Sequence, residues 1–559
     1  MRLPCGTDNG RAALLYMKLY VSKTVAARSA KKDCLMKKII SLICTLALSL
    51  SLLCGCGSSS DAGSSSSGET DTAKSITIGA GQACDTLDPA NSYDGWYIVR
   101  YGISETLTKM EDDMSISMWL AESYTVSEDY TTWTFTIKDG ITFSNGNPVD
   151  GEAAASSLMY IFENSARGEE YFTPVSITGS GQDVTIVCES AEPILMNKLA
   201  DPLFCIIDTS VDLTDIADEG PIGCGPFIIE SFDATTKTCV VVKNENYWDG
   251  EVNLDRVTFL YTEDQSTLTL GLTAGDYDAV YNLSMTAISD FETDDYTISR
   301  AASARTTHGF MNQNGALGDD ALRQAILMAI DKETYCETLL NGEYTAGKTL
   351  ITSSAPQYGY DELEDPYAYD PEAAEALLDS AGYIDIDGDG FREDPDGNDL
   401  ELIYVYYQGR PEQQIVVEAT QAELAELGIK ITIEVNDTAT VIERLAAGDF
   451  DLLCMSINVL NCADPENHLY SYFKSGGTYA NYGWSNEEFD AILEELSVTA
   501  DSDERAELVK EAQEILLDEA VCIYYCYPIM NFVMKSSVTG LCSTTADYYW
   551  ISAETDVNQ

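Results

Sequence analysis
The sequence predicts an α/β protein divided into separate lobes, and three observations carry that expectation. Strand-like and helix-like stretches alternate along the folded part of the 559-residue chain. About 490 residues follow the low-complexity N-terminal region, more than one hydrophobic core usually supports, so two or three lobes are expected. The helical stretches also carry their own start and stop signals, which marks them as separate elements.

In chain order, "WTFTIKDGITF" sets Trp133, Phe135 and Ile137 on one face against Thr134, Thr136 and Lys138 on the other. That alternation is a half-buried strand, and Asp139-Gly140 suits a two-residue hairpin turn after it. Asp150 is placed to cap a helix that begins near Gly151 and continues through Ala155 to Phe162. "DPEAAEALLDSAGY" has an aspartate cap, a proline in its first turn and Gly382 at its end. "PEQQIVVEATQAELAELG" repeats the proline-to-glycine pattern and leads into the alternating strand "IKITIEV". "SDERAELVKEAQEILLDEA" reads as a further amphipathic helix running into the strand "VCIYYCY".

Ahead of these elements, Lys37-Lys38 precede an uncharged apolar run from Ile39 to Leu53. A basic start, a short apolar stretch and a small-residue exit describe a secretory signal over residues 36–55. The exit, Leu53-Cys54-Gly55-Cys56, resembles the lipobox of bacterial lipoproteins. By that resemblance Cys56 becomes the first mature residue and carries the lipid, palmitate among its chains, with Cys54 an unusual occupant of its slot. Residues 56–73 then form a Ser/Gly tether, whose r.m.s. reach for 17 residues is roughly 20–25 Å. Met36 is a second candidate start, so residues 1–35 read as an over-extended beginning and are left out of the fold argument. The expected location is extracytoplasmic, anchored to the membrane in the periplasmic space or at the cell surface.

The formal net charge is −62. Removing residues 1–55 takes away nine Lys/Arg and two Asp/Glu and leaves 22 basic against 91 acidic side chains. Nucleic acid is excluded as a partner, since it requires a basic footprint. Eleven cysteines lie beyond the anchor without paired spacing and read mostly as small buried hydrophobes. His308 and His468 are the chain's two histidines, too few for a histidine-built metal cluster.

Six segments, taken in this order, resemble one family. They are "TLDPANSYDGWYIVRYGISETLTKM", "WLAESYTVSEDYTTWTFTIKDGITFSNGNPVDGEAAASSL", "GPIGCGPFIIESF" with "VKNENYWDGEVNLDRVTF", "DDALRQAILMAIDKE", "AGDFDLLCMS" and "NYGWSNEEFDAIL". The family is the family 5 extracellular solute-binding proteins of ABC importers, with oligopeptide-, dipeptide- and nickel-binding receptors among its members. The resemblance covers about residues 76 to 545. It implies a two-lobed, periplasmic-binding-protein-like α/β fold (type II, cluster C) with an extra domain inserted in lobe I. Carried onto this chain, lobe I holds residues 74–100, 205–302 and 528–559, the insert holds 101–204, and lobe II holds 303–527. It further implies a small-molecule or peptide ligand, delivery to permease and ATPase subunits, a monomer, and no catalysis. Lobe closure over the ligand is the expected working cycle.

In peptide-binding members an aspartate of a D-x-x-[DE]-P segment pairs with the peptide ammonium. Here that segment reads Asn461-Cys462-Ala463-Asp464-Pro465, with Asn461 at the anchoring position and Asp464 as the second acid. From the residues themselves, Arg410 sits between a strand and a helix starting at Pro411, where α/β lobes meet ligands, and can grip a carboxylate. Tyr93, Trp96, Tyr406 and Tyr407 are candidate cleft aromatics. "DIDGDGFREDPDGND" places Asp385, Asp387 and Asp389 at positions 1, 3 and 5 of a calcium-loop pattern and Asp396 at position 12, a weak structural calcium site. No cofactor is otherwise expected. A sensory receptor, a receptor for an opine, oligosaccharide or nickel chelate, and a surface-anchored hydrolase remain as alternatives on the sequence.

Overall fold
The computed structural model describes residues 73–558, so the expectations for residues 1–72, Cys56 included, lie outside the described residues. The fold is mixed α/β and two-lobed, organised on a twelve-stranded sheet. Along its main path the strands run Lys430–Asn436, Glu401–Tyr407, Leu452–Asn458, Arg305–Met311, Cys522–Lys535, Ala279–Tyr281, Ser75–Ala80, Arg256–Tyr261, Thr238–Lys243 and Phe227–Asp233. Tyr296–Ala302 and Tyr344–Ala346 also pair with the Cys522–Lys535 strand.

That fourteen-residue strand joins the two halves of the sheet. Its first part pairs with Arg305–Met311, from Phe310↔Cys522 to Thr307↔Cys526. Its second part pairs with Tyr296–Ala302, from Ala302↔Ile529 to Tyr296↔Lys535. Pro528 sits at the changeover, where the missing N–H removes a ladder bond and weakens the strand locally. A second crossing lies alongside it: Tyr296–Ala302 belongs to one half, Arg305–Met311 to the other, and two residues separate them. The sequence suggested a strand over 521–527; the strand instead continues through the proline because partners on both sides hold its carbonyls.

Each half has its own core. One is built on Ile78, Phe227, Val241, Phe259 and Phe532. The other half is apolar on both faces, with Phe310, Leu453, Phe473 and Tyr482 in one layer and Leu402, Tyr404, Val416 and Ile523 in the next. Burial on both faces is the behaviour of strands covered by helices on either side.

A separate antiparallel sheet runs Ala121–Val126, Thr132–Ile137, Asp183–Cys188, Pro174–Ser180. Trp133, Phe135 and Ile137 are buried as their alternation requires. Asp139-Gly140 does turn the chain, with Gly140 at φ 86°, but no hairpin follows. The strand's partners are 121–126 and 183–188, because the next residues are drawn off into a short loop closed by a Thr142–Pro148 bridge. Asp150 caps the Gly151–Asn164 helix, accepting from the Ala153 N–H at 2.9 Å. That helix lies directly on the sheet: a Cβ on Gly179 would stand 2.0 Å from the Gly151 carbonyl oxygen. The other expected helices form at Pro371–Ala381, Pro411–Glu426 and Ser502–Asp518, the first ending on left-handed Gly382 at φ 93°.

Candidate functional site
The residues singled out by sequence fall into distinct surroundings. Asp464 is buried, and both its oxygens are engaged by Arg505: Nε donates to Oδ2 at 3.0 Å and Nη2 to Oδ1 at 2.8 Å. Arg505 Nη2 also reaches Glu466 at 2.8 Å, and Nη1 donates to the carbonyls of Leu496 and Thr499. Asp464 thus closes a fully hydrogen-bonded ion cluster under the loop that Asn461 opens. Asn461 itself is half-buried, and its carbonyl accepts from the Tyr548 hydroxyl at 3.0 Å.

Tyr548 ties this loop to the opposite half of the molecule. Its ring packs on Trp96 at 5.3 Å, and Trp96 packs edge-on against Tyr93 at 5.0 Å. Tyr93 is half-exposed, and the Arg167 guanidinium lies 3.8 Å from its ring centroid. Arg167 donates to the Tyr171 hydroxyl at 2.8 Å, and that hydroxyl donates to buried Asp201 at 2.8 Å. Burial raises the Asp201 carboxyl above the ordinary value, opposed by Arg167. Among the described residues the indole N–H of Trp96 and Nε of Arg167 have no acceptor. Asn467 Nδ2 reaches the Glu170 carbonyl at 3.4 Å, a second contact from the helix after Asn461 to the opposite side.

Tyr406 and Tyr407 point to opposite faces of their strand, as period-2 geometry requires. Tyr406 packs in the layer with Tyr404 and Leu402, whereas Tyr407 packs with Phe310 and Met455. The Tyr407 hydroxyl donates to the Ser456 carbonyl at 3.4 Å, and Arg305 Nη1 donates to the same oxygen at 3.1 Å. Arg410 is half-buried beside the Tyr407 hydroxyl, near Tyr344 and Glu412. Glu412 is buried and accepts from Ser456 Oγ at 2.8 Å and from the Tyr344 hydroxyl at 3.2 Å. Neither Arg305 nor Arg410 is ion-paired with a carboxylate among the described residues. Asp547, also near Arg305, is held by Arg100 at 2.7 Å and by the hydroxyl of Tyr281.

The stretch 547–550 therefore runs between the halves, touching the arginine group through Asp547 and the aromatic group through Tyr548. Three segments here carry non-glycine residues in the left-handed region: Ser92 at φ 50°, Ala463 at 55° and Asp547 at 59°. Such conformations cost energy and persist where surroundings over-determine them, commonly at ligand clamps. Sequence reading missed Arg305, Asp547, Arg167 and Asp201. The available signal was scarcity: an arginine interrupting the apolar strand "RTTHGFM" stands out in so acidic a chain.

Asp385, Asp387 and Asp389 converge at the surface within 4.8 Å, and Asp396 is not one of that group. Their carboxylates are occupied by turn N–H groups, with Gly388 and Gly390 donating to Asp385. The eleven described cysteines are free, and all but Cys542 are buried. A groove of 670 Å³ lined by Glu152, Met159, Tyr160 and Glu163 lies on the Gly151–Asn164 helix and includes none of the candidate residues. Among the described residues no helix is long and apolar enough to cross a membrane.

Two halves joined by paired crossing strands, with arginine and aromatic groups collected between them, match known proteins along most of the chain. The model of the bacterial extracellular solute-binding proteins, family 5, matches residues 115–480. The chain belongs to that family. It is 27% identical over 458 residues to the nickel-binding periplasmic protein of Escherichia coli K12, covering 78% of this chain and 86% of that one. It is 24% identical over 470 residues to the dipeptide-binding protein DppE of Bacillus subtilis, covering 78% and 84%. Among solved structures, NikA from Brucella suis in complex with Fe(III)-EDTA aligns with a TM-score of 0.78 at 23% identity, covering 87% of this chain and all of that one. The nickel ABC transporter protein of Bacillus halodurans aligns at 0.75 and 26%, with the same coverage. The family 5 relatives are named as binding proteins, two of them as periplasmic.

Proposed function
We propose that this family 5 protein captures a small solute between its lobes and delivers it to an ABC permease, without transforming it. The observation behind this reading is the pair of adjacent crossings, at residues 302–305 and around Pro528, with groups from both halves gathered beside them. In this reading lobe I comprises 74–100, 205–302 and 528–559, the insert 101–204, and lobe II 303–527. Two strand crossings of this kind permit hinge closure, and a ligand touching both lobes shifts the population toward the closed form. Cys56 carries the lipid that keeps the body beside the permease.

Peptides and metal chelates are the ligand classes that the relatives' names bring forward. With Asp464 engaged by Arg505, and Asn461 uncharged, a peptide ammonium lacks its expected counter-charge in the loop 461–465. A carboxylate-bearing chelate or small acid meets no such obstacle. Mass spectrometry of whatever co-purifies with the full chain, together with small-angle scattering before and after its removal, tests the reading. Compaction with bound solute supports it; turnover of the solute, or identical scattering curves, overturns it. Mass analysis of the mature N-terminus for acyl chains decides the anchor separately.

A further inference from the structure
We propose that His308 and His468 form a buried seat for one soft, monovalent metal ion, copper(I), with the Met455 thioether as third donor. The seat lies within one half of the molecule, in the layer of Phe310 and Tyr482, and stands independently of solute capture.

Orphaned polar atoms carry the argument. Among the described residues eight buried side-chain nitrogens or oxygens have no hydrogen-bond partner, and four of them gather here: both nitrogens of His308, Nε2 of His468 and the Tyr524 hydroxyl. Buried polar groups are normally satisfied, so such a concentration calls for a ligand. The His308 ring centroid stands 5.5 Å from that of His468 and 6.4 Å from that of Tyr524. An imidazole nitrogen binds a metal at about 2.0–2.1 Å, which sets its ring centroid about 3.2 Å from the ion. Two rings meeting at one ion therefore stand about 5–6 Å apart over ordinary coordination angles, which is the spacing found.

Strand pairing brings in the third donor. His308 lies directly opposite Met455 on one neighbouring strand and Tyr524 on the other. Directly paired residues share a face, with Cβ atoms about 4.5–5.5 Å apart. His468 is presented by the Glu466–Tyr472 helix, with the Tyr472 ring 4.4 Å from it. The donor set then selects the ion. No cysteine or carboxylate joins the two histidines among the described residues, and burial alone acts on His308. The seat is therefore neutral. The cost of burying an ion grows with the square of its charge, so a dication costs about four times as much as a monovalent ion. Thioether and imidazole donors together suit copper(I). Two histidines are too few for a histidine-built cluster, whereas copper(I) accepts low coordination numbers.

The chain's two histidines make the test direct: in protein produced without a histidine tag, a nitrogen-15 histidine label reports on this pair alone. Exposed thiols such as Cys542 are first alkylated. The full chain is then titrated anaerobically with copper(I) buffered by bathocuproine disulfonate, and followed by NMR, thermal shift and X-ray absorption. We expect one equivalent to move the ring signals of both histidines together, to raise the melting temperature, and to show two nitrogens and one sulfur around the metal. M455L should remove the sulfur while both histidine signals still move, and H468Q should abolish competition against bathocuproine. Histidine signals that stay in place at one equivalent overturn the seat, a result that requires no variant to fold. Copper uptake that survives H468Q belongs to the cysteines and overturns it as well. Zinc(II) or nickel(II), added alone, moving the pair at lower concentration than copper(I) overturns the assignment to a monovalent ion.

Discussion
Arg505 and Arg305 lie in the same half of the molecule and differ in one respect, which is whether the protein itself satisfies them. Arg505 spends its donors on Asp464, Glu466 and the carbonyls of Leu496 and Thr499. Arg305 spends one donor on the Ser456 carbonyl. Identical chemistry thus serves architecture in one place and stands open in the other. The contrast teaches that a buried charged cluster is informative about ligands only after its internal partners are subtracted. By that subtraction Asp464, an attractive residue in sequence, belongs to the scaffold.

The largest effect expected on this contrast is from R505Q. It strands a buried Asp464 beside Glu466, and unfolding free energy should fall by about 3–5 kcal/mol in a denaturant titration. R305Q, by contrast, removes one of two neighbouring like charges, and stability should change by no more than about 1 kcal/mol. A large loss in R305Q would break the distinction between the two sites.

Acid sensitivity comes next. His308 and His468 are buried with rings 5.5 Å apart and 21° from parallel, and His308 has both nitrogens without a partner among the described residues. Burial pulls His308 down to about 3, and burial with His308 lowers His468 well below the ordinary value. Unfolded histidines titrate near 6.5, so between there and 3 the unfolded chain binds more protons. The stability held by the neutral pair is complete above pH 6.5 and drains as pH falls toward 3. Melting temperature should drop steeply over that window in the native protein, and the H308F/H468F double variant should flatten the slope.

A smaller effect is expected from N461D. Since Asp464 is committed to Arg505, a new acid at 461 supplies the missing counter-charge, and free-amino peptides should bind about tenfold more tightly by calorimetry. Unchanged affinity would remove the loop 461–465 from the site. Smallest of all is K430Q at the exposed pair with Glu401, where the melt should stay within its reproducibility.

Local signals made much of the fold readable. Asp150, Asp370 and Gly382 cap the helices they were expected to cap, because capping depends on a few adjacent residues. The Trp133, Phe135, Ile137 alternation predicted a strand and its buried face, but its partners lie far along the chain, so the hairpin was misjudged. At the candidate site, Arg410 was visible from its strand-to-helix position. Arg305 was hidden because its neighbours Ser456, Glu412 and Asp547 lie 107 or more residues away in the chain.

By itself the sequence determined the α/β class, the acidic surface that excludes nucleic acid, the capped helices and the family resemblance. These follow from period, composition and short-range hydrogen bonding, which any contiguous stretch displays. Only the tertiary structure decided which charges cancel one another: it set Arg505 against Asp464 and Arg100 against Asp547, and left Arg305 with a carbonyl in place of an ion pair. Electrostatic compensation depends on distance in space, and a linear chain does not carry that quantity.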